Sequence, residues 1–137
     1  MTSDTPAAGV DKESKIQTIL IVEDDDAIGD FLTRFLEQET SCKVIYVTDA
    51  TQALEVVASI KPNLFILDYR LPGINGLELY DRLHAMKELE TVPALMISAN
   101  SPGQKAVKER QITFIPKPFE LDLLIKSIEK IFAQQED

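Results

Sequence analysis

The stretch ILIVEDDDAIGDFLTRFLEQ, residues 19–38, sets the reading of the whole chain. Four apolar residues, Ile19 through Val22, run on without alternation and meet four acids, Glu23 through Asp26. A strand with no polar alternation is one buried on both faces. Behind the acids, Ile28, Phe31, Leu32, Phe35 and Leu36 recur along one helical stripe, which predicts a helix over 27–38. Asp25 or Asp26 suits its N-cap or first turn, where a carboxylate accepts orphan backbone N–H groups and complements the helix dipole.

The same unit recurs outward from this stretch. Further apolar runs stand at 44–47, 64–67, 94–97 and 114–115. Asp49 reads as an N-cap with Gln52 as its capping-box partner, before a helix carrying Ala53, Leu54, Val57 and Ala58 that Lys61-Pro62 stops. A third helix over 76–87 carries Leu77, Leu79, Tyr80, Leu83 and Met86 in its core stripe. The fourth, over 104–110, has only Ala106 and Val107 as apolar residues, and the fifth spans 121–132. Five strands alternating with five helices predict an α/β fold: a flavodoxin-like, doubly wound, five-stranded parallel sheet in the order 2-1-3-4-5, with a short or irregular fourth helix. Ligands of such a sheet sit beyond the carboxyl ends of strands 1 and 3.

Length and composition narrow the setting. A chain of 137 residues is one domain's worth. Residues 1–15 hold little to bury and read as a disordered tail, 16–133 as the folded domain and 134–137 as a polar C-terminal tail. The formal net charge of −9 argues against direct nucleic-acid contact and against anionic membrane surfaces. The lone cysteine, Cys42, fits a reducing compartment. No apolar run reaches the roughly 18–20 residues of a membrane span. Nor does the N-terminus read as a signal peptide, so a cytoplasmic location is expected.

The strand ends carry the chemistry. Strand 1 ends in Glu23 and Asp24, strand 3 in Asp68, strand 4 in Ser98, and strand 5 in Pro116-Lys117-Pro118. Carboxylates gathered on one rim repel and call for a hard cation, and Mg²⁺ suits few protein oxygens plus phosphate. Lys117 can pair with a phosphoryl oxygen and Ser98 can hydrogen-bond another. An aspartate such as Asp68 can accept a phosphoryl group covalently.

In the segments ILIVEDD at 19–25, LFILDYRLPGINGLEL at 64–79, LMISA at 95–99 and FIPKPFE at 114–120, the sequence resembles the receiver domain of two-component response regulators. The resemblance covers about 17–133. It implies that Asp68 is the phosphoacceptor and Asp24 a direct metal ligand, with Glu23 an acidic partner acting partly through water. It also implies the Arg70 backbone carbonyl as a further ligand, Ser98 as the switch hydroxyl and Phe114 as an aromatic switch. Lys117 would contact the phosphoryl group before a cis Pro118. Mg²⁺ is the implied metal, with Mn²⁺ as a substitute. The implied donor is a histidine kinase or histidine phosphotransfer protein, and the output an unknown protein met by a monomer or a weak, phosphorylation-dependent dimer. Such a domain is not an enzyme, although it catalyses its own phosphorylation and dephosphorylation.

The segment between Ser98 and Lys117 is shorter than the family's usual one, and Asn100-Ser101-Pro102-Gly103 interrupts it. That departure bears on the output surface more than on phosphorylation. Three rival readings stand beside the receiver. One is a haloacid-dehalogenase-like phosphatase with Asp24 as nucleophile and Asp26 as acid/base. The second is a flavodoxin proper, which wants a hydroxyl- and glycine-rich loop where four acids stand. The last is a pseudo-receiver that only binds partners. Because the chain ends soon after the fifth helix, a stand-alone switch without its own output domain is expected.

Overall fold

The computed structural model describes residues 16–100 and 102–135, so the tail expected over 1–15 lies outside the described residues. Its strands are β1 (Thr18–Val22), β2 (Lys43–Val47), β3 (Leu64–Asp68), β4 (Ala94–Ser98) and β5 (Thr113–Pro116). Every neighbouring pair is parallel and the order is β2-β1-β3-β4-β5, as expected from the alternation of elements. The helices are α1 (Asp26–Glu39), α2 (Ala50–Val56), α3 (Gly76–His84), α4 (Gln104–Glu109) and α5 (Leu121–Gln135), with a 3₁₀ turn at Lys87–Leu89.

The continuous apolar runs have the cause inferred for them. Leu20, Val22, Phe65, Leu67 and Met96 pack on one side of the sheet with Ala53, Leu79 and Leu83 from α2 and α3. Ile19, Ile21, Leu64, Ile66, Leu95 and Ile97 pack on the other with Leu32 and Leu36 of α1 and Leu124 and Ile128 of α5. Side chains alternate between the faces along each strand. Both faces are covered, so neither parity has room for a polar residue until the strand ends. No described helix is long and apolar enough to cross a membrane.

Several boundaries differ from the periodicity. The second helix ends at Val56, before Lys61-Pro62, because the chain turns through bonds from Ala58 and Ser59 to the Glu55 and Val56 carbonyls. The Asp49 side chain does cap the Gln52 N–H, but the Gln52 amide reaches back to Thr48 and leaves the expected capping box half made. A complete one stands at Asn75 and Glu78, opening α3. That helix stops at His84, so Met86 falls off its stripe and is exposed rather than core. His84, the last residue of that helix, is half-buried: its Nδ1 lies 2.8 Å from the Tyr80 carbonyl and its Nε2 2.6 Å from that of Val92. The last helix continues to Gln135, past the apolar stripe that ended at Phe132.

The fourth helix is short, as expected, and none of its residues is buried. It is tied to α3 at one end instead. The Tyr80 hydroxyl donates to the Arg110 carbonyl at 2.8 Å, and the Arg110 guanidinium makes a two-pronged pair with Asp81 at 2.9 Å. That guanidinium holds the Asp81 carboxyl below its usual range.

Gly76 begins α3 where the helix start lies tight against the end of β3. A Cβ there would lie 2.5 Å from the Asp68 carbonyl oxygen and 3.0 Å from Tyr69 Cα. Backbone cannot yield as a side-chain tip can, so Gly76→Ala is expected to cost about 1–3 kcal/mol, the usual penalty of overpacking. A lowered urea midpoint with an unchanged m-value would show this.

Candidate functional site

Four sequence-predicted residues meet at the carboxyl ends of β1, β3 and β5. Glu23 directly follows β1 and is 0% exposed. Its N–H donates to the Val47 carbonyl at 3.1 Å, carrying β1's pairing with β2 one residue further. Its Oε1 accepts from Lys117 Nζ at 2.9 Å and its Oε2 from the Asp25 N–H at 3.1 Å. Asp25 is also the N-cap of α1, its Oδ1 accepting from the Ala27 and Ile28 N–H groups.

Asp68 closes β3 and is 4% exposed. Its Oδ1 accepts from the Arg70 N–H at 3.1 Å and its Oδ2 from Lys117 Nζ at 3.0 Å. The lysine thus bridges the two buried acids. It is carried there by the end of β5, where its own N–H donates to the Ser98 carbonyl at 2.9 Å and the Lys117–Pro118 peptide is cis. Asp24 is exposed, and its carboxylate takes no hydrogen bond among the described residues.

Burial pushes the Glu23 carboxyl up; Lys117 and the Asp25 N–H pull it back, and Asp68 pushes it up again, leaving it above the usual carboxylate range. Burial alone would pull the Lys117 ammonium down, but its bonds to Glu23 and Asp68 outweigh that and raise it. The lysine is therefore a fixed cation between the acids.

One carboxylate oxygen from each of Glu23, Asp24 and Asp68 lies within 4.8 Å of the others. Three hard oxygen donors, one of them exposed with neither oxygen hydrogen-bonded among the described residues, fit a small divalent cation that keeps part of its water. They do not fit a nitrogen- or sulfur-seeking metal.

Ser98 stands one residue beyond the Asp68–Ile97 pairing of β3 with β4 and is 1% exposed. Its Oγ accepts from the Asn100 N–H at 3.2 Å. Arg70 presents its backbone N–H to Asp68, while its residue as a whole is exposed. Phe114 lies apart from the cluster: it is half-buried on β5, opposite Met96, and packs with the α2 and α3 side of the core. Asp26 does not join the acids either, because its Oδ1 accepts from the Tyr46 hydroxyl at 3.0 Å.

Tyr46 is the residue the sequence reading missed. It reads there as one more apolar strand residue, yet its hydroxyl also donates to the Glu23 carbonyl at 2.9 Å. Two signals could have found it. A tyrosine in a half-buried strand needs a partner for its hydroxyl. A glycine inside a helix pattern, here Gly29, usually has a packing reason.

The comparisons with known proteins agree with this arrangement. The chain is 27% identical to the chemotaxis protein CheY of Pseudomonas aeruginosa over 119 residues, covering 85% of this chain and 96% of that one. It is 31% identical over 124 residues to the DNA-binding response regulator MtrA of Mycobacterium tuberculosis, covering 88% of this chain. It spans only about half of MtrA's length, 53%. The crystal structure of a Chloroflexus aurantiacus protein described as a response regulator superposes with a TM-score of 0.79 at 30% identity, covering 87% of this chain and 99% of that one. The family described as the response regulator receiver domain matches residues 19–129, a span that runs from β1 into α5 and takes in every acid of the cluster and its lysine. By that match and these likenesses, the chain belongs to the receiver-domain family, the phosphoacceptor switches of two-component signalling.

Proposed function

We propose that Asp68 receives a phosphoryl group from a phosphohistidine of a histidine kinase or histidine phosphotransfer protein, and that residues 16–133 form the switch. The observation that carries this reading is the bridging lysine: Lys117 holds Asp68 Oδ2 at 3.0 Å and Glu23 Oε1 at 2.9 Å, with Asp24 open beside them. In the transfer, a carboxylate oxygen of Asp68 forms the new O–P bond as the donor's P–N bond breaks. The electron pair leaves on the imidazole nitrogen, which takes up a proton from water.

Little covalent work falls to the protein in phosphoryl transfer, so positioning and charge dominate. The Arg70 N–H and Lys117 orient the Asp68 carboxylate, and Lys117 then follows the charge onto a phosphoryl oxygen. Ser98, buried next to Asp68 in the sheet, supplies a hydroxyl to a second oxygen. Glu23, Asp24, Asp68 and the Arg70 carbonyl would hold Mg²⁺, or Mn²⁺ in its place. When bound, that ion neutralises phosphoryl charge. Movement of Ser98 toward the new group leaves room for Phe114 to turn inward, which biases the surface around α4, β5 and α5. Hydrolysis of the acyl phosphate by water, on the protein itself, resets the switch.

An apolar groove of about 590 Å³ supports a protein donor over a small molecule alone. Ile28, Phe31, Phe119 and Leu121 line it together with Lys117. Phe31, set on the apolar stripe of α1, is 47% exposed toward solvent and stacks on Phe35. A donor placing its phosphohistidine over Asp68 would cover this surface. Output passes through contact with another protein, the compartment is the cytoplasm, and the oligomeric state is a monomer or a weak dimer formed on phosphorylation.

Intact-mass measurement after incubation with acetyl phosphate and Mg²⁺ tests the reading. The expected result is a gain of one phosphoryl group that disappears when EDTA is present from the start. No gain, together with no binding of beryllofluoride, would sink it.

A further inference from the structure

We infer that Tyr46 is a positioning residue for the metal-binding acids: its hydroxyl holds the Glu23 backbone and so sets where Asp24 stands. The inference rests on the phosphoacceptor reading above and deepens it.

Tyr46 lies on β2 opposite Ile21 and packs on the side of the sheet covered by α1 and α5. Its ring occupies space that only a glycine leaves free. A Cβ on Gly29 would fall against the Cζ, Cε1 and hydroxyl of that ring. Glycine is a poor residue for a helix interior, and Gly29 sits within α1, so its presence is explained by the ring it admits. Seated there, the hydroxyl lies 2.9 Å from the Glu23 carbonyl and 3.0 Å from Asp26 Oδ1. One phenolic proton serves these two acceptors.

The loop between β1 and α1 carries both Glu23 and Asp24. The Glu23 carboxylate is fixed independently, by Lys117 and by the Asp25 N–H. The Asp24 carboxylate has no such contact among the described residues. Its position therefore follows from the backbone that precedes it. That backbone is tied to β2 twice: the Glu23 N–H donates to Val47, and the Glu23 carbonyl accepts from Tyr46. Removing the hydroxyl unties one side of the peptide that leads directly into Asp24. Groups that support a metal site from outside its ligands commonly decide its affinity.

The test uses two variants and Mg²⁺ itself as the probe. Tyr46→Phe keeps the ring in its slot and removes only the hydroxyl. Gly29→Ala keeps the hydroxyl but displaces the ring, while improving the helix. Calorimetric titration of Mg²⁺ into each folded protein is expected to show affinity reduced about threefold to tenfold, the worth of one hydrogen bond supporting a ligand. Phosphorylation by acetyl phosphate should slow at limiting Mg²⁺ and recover at saturating Mg²⁺. Thermal midpoints in EDTA report the purely structural share, which in Gly29→Ala sets the gain in helix propensity against the displaced ring. Affinities within about twofold of wild type in both variants, with only the midpoints lowered, would make Tyr46 a structural pin and overturn the inference. If Tyr46→Phe does not fold, Gly29→Ala decides alone. Wild-type protein that binds no Mg²⁺ and gains no phosphoryl group overturns the underlying reading as well. A normal wild type with unaffected variants overturns this inference only.

Discussion

Asp68→Asn is expected to abolish phosphoryl gain while leaving a folded protein. An amide of the same shape has no anionic oxygen to attack phosphorus, so the loss is complete rather than graded. The fold should tolerate the change because the site carries two buried acids against one lysine. Asp68 pushes the Glu23 carboxyl up through hydrogen bonding and charge, so removing its charge relieves that crowding. The thermal midpoint in EDTA should hold or rise. Intact mass after acetyl phosphate and Mg²⁺ gives the readout. Persistence of the gain in Asp68→Asn, with loss in Asp24→Asn, would move the nucleophile to Asp24 and favour the phosphatase rival. Asp26, the acid/base which that rival needs, is engaged by Tyr46 instead.

Lys117→Met should slow phosphorylation by about 10²–10³, the usual cost of removing one preorganised donor from developing transition-state charge. It should also destabilise the metal-free protein, since the variant leaves Glu23 and Asp68, 0% and 4% exposed, without their shared cation. Breaking a buried ion pair from one side costs about 3–5 kcal/mol when the remaining charge persists. That charge can be shed by protonation, which gives the effect a pH dependence. The Glu23 carboxyl is already raised by burial in the fold, and losing Lys117 removes the largest influence that lowers it. A folded-state pKa above the unfolded one means that the protonated form favours folding. The stability contribution is thus present below the unfolded value of about 4.5 and lost as pH rises through the raised folded value. Urea midpoints of Lys117→Met in EDTA should therefore fall further behind wild type at pH 8 than at pH 5. Equal deficits at both pH values would show that the lysine acts through packing alone.

Much of the fold was legible in the apolar runs. Ile19 through Val22 and Leu64 through Leu67 carry no polar interruption, and only a sheet covered on both sides buries such strands. The chemistry was legible for a related reason. Polar residues are excluded from these strands until their ends, so Asp68 and Ser98 stand out, and the strand order brings those ends together. Helix ends were less legible. The stop of α2 at Val56 and of α3 at His84 depends on turn bonds that compete with continued helix, and apolar spacing does not register that competition. Met86 followed the stripe on paper and left it in the fold for this reason.

Linear order thus specified the sheet and the acids, because burial acts residue by residue along each strand. It could not specify which donors meet which carboxylate. Lys117 reaches Glu23 and Asp68 across 94 and 49 residues, and Tyr46 reaches the Glu23 carbonyl across 23. Hydrogen bonds form only within about 3 Å and along defined directions, so such pairings exist only once helix and sheet are docked. The seat of Tyr46 against Gly29 is the clearest instance. A missing Cβ on one element matters only because a ring from another arrives in the space it leaves.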